Sequence, residues 1–88
     1  MDYILTDHCL LAMLRRGIEA EQIAAVLLNP ERTETLRPGR AVCQAEMFLS
    51  RTGRVYLLRV VVDIDRDPAE VVTVYRTGRA GRYRRERT

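Results

Sequence analysis

Two residues in this 88-residue chain stand out for their type and position: the single histidine, His8, and an arginine in the middle of an apolar run, Arg59. Because His8 is the only imidazole, any histidine acid or base acting near neutral pH must be this residue. Its other reading is an exposed or capping residue near a helix start. Arg59 interrupts Val55-Tyr56-Leu57-Leu58-Arg59-Val60-Val61-Val62, and a charge placed there needs a partner. One reading pairs it across strands with Glu46, on the same expected face. The other sets its guanidinium against a phosphate, where it would stabilise charge developing during phosphoryl transfer. The two readings are compatible. Thr73, Tyr75 and Thr77 alternate onto the same face as Arg59, and a hydroxyl there could position a phosphate or donate a proton. Packing of the Tyr75 ring is the competing reading.

Other chemistries lack their residues. One His and two distant Cys, Cys9 and Cys43, do not make a metal site by the usual spacings, and no cofactor is expected. No Gly-rich loop joins a strand to a helix to cradle phosphates, and no nucleophile elbow is present. Asp63, Asp65 and Asp67 alternate without the glycine or terminal glutamate of a calcium loop, and read as a solvated turn. All fifteen basic residues are Arg, which removes lysine Schiff-base mechanisms and supplies planar forks suited to phosphate.

The elements that must position these residues follow from periodicity. Thr6 is a good N-cap, Asp7 suits the positive end of a helix dipole, and Gly17 stops the helix after Arg15 and Arg16. Helical spacing groups Cys9, Leu10, Met13 and Leu14 as the apolar stripe, with His8, Ala12 and Arg15 opposite and Arg16 beside them. A second helix over Ala20 to Leu28 carries Ile23, Val26 and Leu27 and ends at Asn29-Pro30. Beyond Pro30 the period becomes two, and strands are expected at Arg32–Leu36, Ala41–Ser50, Arg54–Asp63 and Val71–Thr77. Pro38-Gly39 and Thr52-Gly53 are hairpin turns. The expected fold is α+β, a helix hairpin packed on a four-stranded antiparallel meander (ααββββ). Alternation puts Cys43, Ala45, Met47, Leu49, Tyr56, Leu58, Val60, Val62, Val72 and Val74 on the helix-packed face. The opposite face mixes polar and apolar residues.

Length and charge set the remaining bounds. A chain of 88 residues, 47% hydrophobic and 31% charged, is one globular domain, expected over residues 1–77 with a tail at 78–88. No apolar run reaches membrane-helix length and the start lacks the pattern of a signal peptide, so a cytoplasmic protein is expected, without disulfides. The net charge of +3 conceals an asymmetry. Residues 76–88 carry Arg76, Arg79, Arg82, Arg84, Arg85 and Arg87 against Glu86 alone, whereas the rest of the chain is slightly acidic. Such an end suits an anionic partner such as nucleic acid, an acidic protein or a membrane surface, with Arg15 as a further nucleic-acid contact; a merely solvated tail is the alternative.

At several places the sequence resembles a small bacterial family of unknown function akin to the RelE-type toxins. They are Leu5-Thr6-Asp7-His8, Met13-Leu14-Arg15-Arg16-Gly17-Ile18, Leu28-Asn29-Pro30-Glu31, Arg37-Pro38-Gly39-Arg40, and Leu58-Arg59-Val60-Val61-Val62-Asp63 leading to Val72-Thr73-Val74-Tyr75. The resemblance spans roughly residues 4–77. It implies the barnase, EndoU, colicin and RelE nuclease fold, whose members cleave RNA without a metal on a sheet face. It also implies a site at His8, Arg16, Arg59 and either Thr73 or Tyr75. The leading expectation is therefore a metal-independent toxin-type ribonuclease in which the 2′-hydroxyl attacks the adjacent phosphate. Cleavage of free or ribosome-bound RNA is left open, and an antitoxin would cover the groove. The alternative is a non-catalytic module that binds nucleic acid or an acidic partner. A third reading makes Phe48, Val55, Leu57, Val61 and Val71 a homodimer interface.

Overall fold

The computed structural model describes residues 2–49 and 53–78, apart from the side chain of Leu49. The expected Thr52 turn position and the Arg-rich run 79–88 lie outside the described residues. Seven elements follow in order: β1 (Tyr3–Leu5), α1 (Asp7–Arg16), α2 (Ala20–Leu28), β2 (Arg32–Arg37), β3 (Arg40–Leu49), β4 (Arg54–Asp63) and β5 (Ala69–Thr77). The strands form one sheet in the order β1-β5-β4-β3-β2.

The expected four-stranded antiparallel meander is thereby corrected to a five-stranded mixed sheet. Strand β1 runs parallel to β5, with Tyr3, Ile4 and Leu5 opposite Ala69, Glu70 and Val71. Three residues are too few for alternation to register, and a parallel partner 66 positions away leaves no local turn between the strands. The pairs β2–β3, β3–β4 and β4–β5 are antiparallel as expected.

Helix α1 is bounded as its sequence dictates. The Thr6 hydroxyl oxygen accepts from the Cys9 backbone N–H at 3.1 Å, and Gly17 takes a left-handed φ of 64° that ends the helix. Thr6 also ties the helix to the sheet, since its hydroxyl lies 3.0 Å from the Val71 carbonyl and 3.3 Å from that of Val72. The buried stripe is rotated from the expected one. Cys9 and Ala12 are buried and Met13 half-buried, while Leu10 is half exposed and Leu14 is 80% exposed. Against a flat sheet, small Cys and Ala allow the close approach that two leucines would prevent.

The core lies between the helices and one sheet face. Cys9, Ile18, Ile23 and Val26 pack on Cys43, Ala45, Tyr56, Leu58, Val60, Val62, Ala69, Val71 and Val74. Each large aliphatic here contributes about 1.5–3 kcal/mol by burial, whereas exposed ion pairs contribute about 0–1 kcal/mol, so this layer holds the fold together. Strand β5 departs from strict alternation. Val61 pairs with Thr73 but Val62 with Val71, so Val72 is an inserted bulge residue. Val71 and Val74 therefore share the core face, correcting the expected Val72 and Val74 pair.

Candidate active site

The face opposite the helices carries the odd positions of β4 and their partners. Arg59 sits at its centre, 6% exposed, with Gln44 of β3 on one side and Tyr75 of β5 on the other in the pairing register. The Arg59 Nε–H donates to the Tyr75 hydroxyl at 2.9 Å, and its Nη1 donates to Gln44 Oε1. The guanidinium carbon lies 5.8 Å from the Tyr75 ring centroid. The Glu34 carboxylate, from edge strand β2, lies 3.7 Å from Nη2 and is nearly half exposed. A buried cation is thus oriented by two neutral groups and faced by a carboxylate that reaches solvent.

This arrangement has chemical consequences. Tyr75 accepts the hydrogen bond from Arg59, so its own proton is directed elsewhere and can be donated to a third group. Gln44 accepts through its oxygen, which leaves its amide N–H groups for another acceptor. Hydroxyl, amide and guanidinium donors therefore converge beside one carboxylate. Such a set suits a developing oxyanion together with a proton to be removed nearby.

The expected site residues divide into two groups. Arg59 and Tyr75 are brought together, and Thr73, opposite Val61, stands two residues along the same face, half-buried. His8, Arg15 and Arg16 are exposed on α1, and neither His8 nor Arg16 is hydrogen bonded to Arg59. Arg76 belongs to the other face, where its guanidinium lies 5.3 Å from the Tyr56 ring centroid and donates to the Gly17 carbonyl at 3.1 Å. The register places Gln44 directly opposite Arg59, while Glu46 is opposite Leu57. Of the five apolar residues expected at a dimer interface, Leu57, Val61 and Val71 are buried within the chain, and Phe48 and Val55 are exposed.

Gln44 and Glu34 are the site residues that sequence reasoning missed. Gln44 lies on the expected mixed face, but a two-residue turn at Thr52-Gly53 would set Glu46 opposite Arg59; the observed pairing of Leu49 with Arg54 shifts the register by two residues and brings Gln44 there instead. Glu34 lies on an edge strand with polar residues on both faces, Arg32-Thr33-Glu34-Thr35, where alternation gives no inside or outside.

A second buried charge lies further along the same face. Asp63, 5% exposed, binds Arg40 through two hydrogen bonds of 2.6 and 3.0 Å, and so is no solvated turn residue. The hydrogen-bonded Arg40 guanidinium holds the Asp63 carboxyl below the usual carboxylate range against the opposing effect of burial, with Arg66 and Arg37 adding to the depression. Arg66 in turn approaches Glu70 at 3.0 Å. This network fastens the β4–β5 connection to the β2–β3 hairpin, where the Ile64 N–H donates to the Gly39 carbonyl at 2.8 Å.

Fold and site together define an α+β domain whose mixed sheet carries an arginine-centred polar cluster on its helix-free face. The family model described as a domain of unknown function (DUF4258) matches residues 5–76, and the chain belongs to that family. No curated protein and no solved structure matches it. None of its helices among the described residues is long and apolar enough to cross a membrane.

Proposed function

We propose that the chain is a metal-independent endoribonuclease of toxin type whose reaction centre is the Arg59 cluster. The observation that carries this reading is the buried Arg59 guanidinium, held by Tyr75 and Gln44 with the Glu34 carboxylate 3.7 Å away. The resemblance of the sequence to RelE-type toxins points the same way.

In the proposed reaction Glu34 takes the proton of a ribose 2′-hydroxyl, and O2′ attacks the adjacent phosphorus. Arg59 and the Gln44 amide stabilise the charge that builds on the phosphoryl oxygens. Tyr75 gives its proton to the departing 5′-oxygen. The products are a 2′,3′-cyclic phosphate and a 5′-hydroxyl. Thr73 is placed to position the phosphate from the same face, and the Arg-rich end supplies sequence-independent, salt-dependent attraction for RNA.

Incubating the purified chain with total RNA in EDTA tests the assignment. Discrete products are expected from wild type and a rate lower by about 10²-fold or more from Tyr75→Phe and Glu34→Gln. His8→Ala serves as the comparison: retained activity agrees with acid and base roles at Tyr75 and Glu34, whereas its loss would transfer one of them to His8. RNA that shifts on a gel at low salt without being cut would instead favour a binding module.

A further inference from the structure

On the face that carries Tyr56 and Arg76, at the start of β4 and the end of β5, a cleft of about 220 Å³ is lined by Arg54, Val55, Tyr56, Arg76 and Gly78. Tyr56 is fixed from behind. It is 6% exposed, and its hydroxyl accepts from Gln22 Nε2 at 2.9 Å. Arg76 lies over the ring of Tyr56 and donates one N–H to Gly17, the left-handed residue that ends α1. A ring face and a carbonyl thus orient the guanidinium while leaving its charge whole, because no carboxylate among the described residues lies within ion-pair distance of Arg76. Its Nε–H and Nη1 donors are not used by these contacts.

We infer that this cleft is an anion site that takes a nucleotide phosphate, separate from the Arg59 cluster on the opposite face. The planar fork of Arg76, held over an aromatic ring in a cleft that Arg54 also lines, matches a pair of phosphoryl oxygens. The ring of Tyr56, lying under Arg76, fixes the plane of that guanidinium.

The test is a titration of the full ¹⁵N-labelled chain, observing arginine Nε–H resonances. The probes are inorganic phosphate, then adenosine 5′-monophosphate, then a single-stranded hexaribonucleotide. A saturable shift of the Arg76 resonance is expected with each, and binding to this site, followed in the variant at the Arg54 resonance of the same cleft, should weaken about tenfold or more in Arg76→Gln with helix content retained. Arg76→Lys, which keeps the charge and loses the fork, should fall between the two. Tighter binding of the hexamer identifies a strand as the source of the phosphate, and equal binding identifies a terminal phosphate; either upholds the site. Arg59→Lys should leave the Arg76 shift intact, so failure of one site is distinguishable from failure of the other. No saturable Arg76 shift with any probe, or unchanged affinity in Arg76→Gln, would overturn the inference.

Discussion

At the scale of single residues, Arg59 illustrates how a charge is kept in a sheet. Its head group is held by a phenol and an amide and faces the half-exposed Glu34 carboxylate. Arg59→Lys keeps the charge but cannot satisfy Tyr75 and Gln44 together, and it should reduce RNA cleavage by about 10²-fold or more, measured as initial rates on a labelled oligonucleotide. Tyr75→Phe removes the proposed proton donor as well as the acceptor for Nε–H. Leaving that donor unpaired should cost about 1–3 kcal/mol in a urea titration. A Tyr75→Phe variant of wild-type stability would mean that the hydrogen bond to Arg59 contributes little to the fold.

At the scale of elements, Thr6 joins three features: the helix start, the β5 bulge and the parallel strand β1. Thr6→Ala removes the cap of α1 together with the bonds to the Val71 and Val72 carbonyls. It should cost about 1–2 kcal/mol, seen as a melting temperature lower by about 4–16 °C. The rotated face of α1 makes a contrasting pair. Leu14→Ser should be neutral within about 0.5 kcal/mol, and Ala12→Leu should destabilise by about 1–3 kcal/mol through overpacking. Equal effects at the two positions would contradict the observed burial. Both helices and β4 were legible in the sequence because caps, Gly17, Asn29-Pro30 and long alternation mark them locally. Three features were not. Strand β1 is too short to show a period, and the Val72 bulge shifts a run of valines that reads alike in either register. The α1 stripe is decided by how closely a helix can approach the sheet, which favours Cys9 and Ala12 over the more hydrophobic Leu10 and Leu14. The same distinction holds at the site: Arg59 and Tyr75 stand out on a strand with a clear inside and outside, and Glu34 on an edge strand does not.

At the scale of the whole molecule, the face opposite the helices has two polar centres on β4, Arg59 and Asp63, roughly 13 Å apart along the strand. The Asp63 centre is structural. Its carboxyl is held below the usual range by Arg40, so protonation favours the unfolded chain. Its contribution to stability is present above the ordinary carboxylate value of about 3.9 and is lost as the pH falls through the lower folded value. Thermal melts should show a falling midpoint below about pH 4, less steep in Asp63→Asn; an identical slope in the variant would remove Asp63 from the acid response. The Arg59 centre carries the central claim, that its donors serve attack by a ribose 2′-hydroxyl on the adjacent phosphate. The direct measurement is cleavage in EDTA of a defined oligoribonucleotide beside the same strand made with 2′-deoxyribose throughout. Cleavage of the ribose strand to 2′,3′-cyclic phosphate and 5′-hydroxyl ends, with the deoxyribose strand intact, is the predicted result. An uncut ribose strand, or equal cleavage of both, would contradict it.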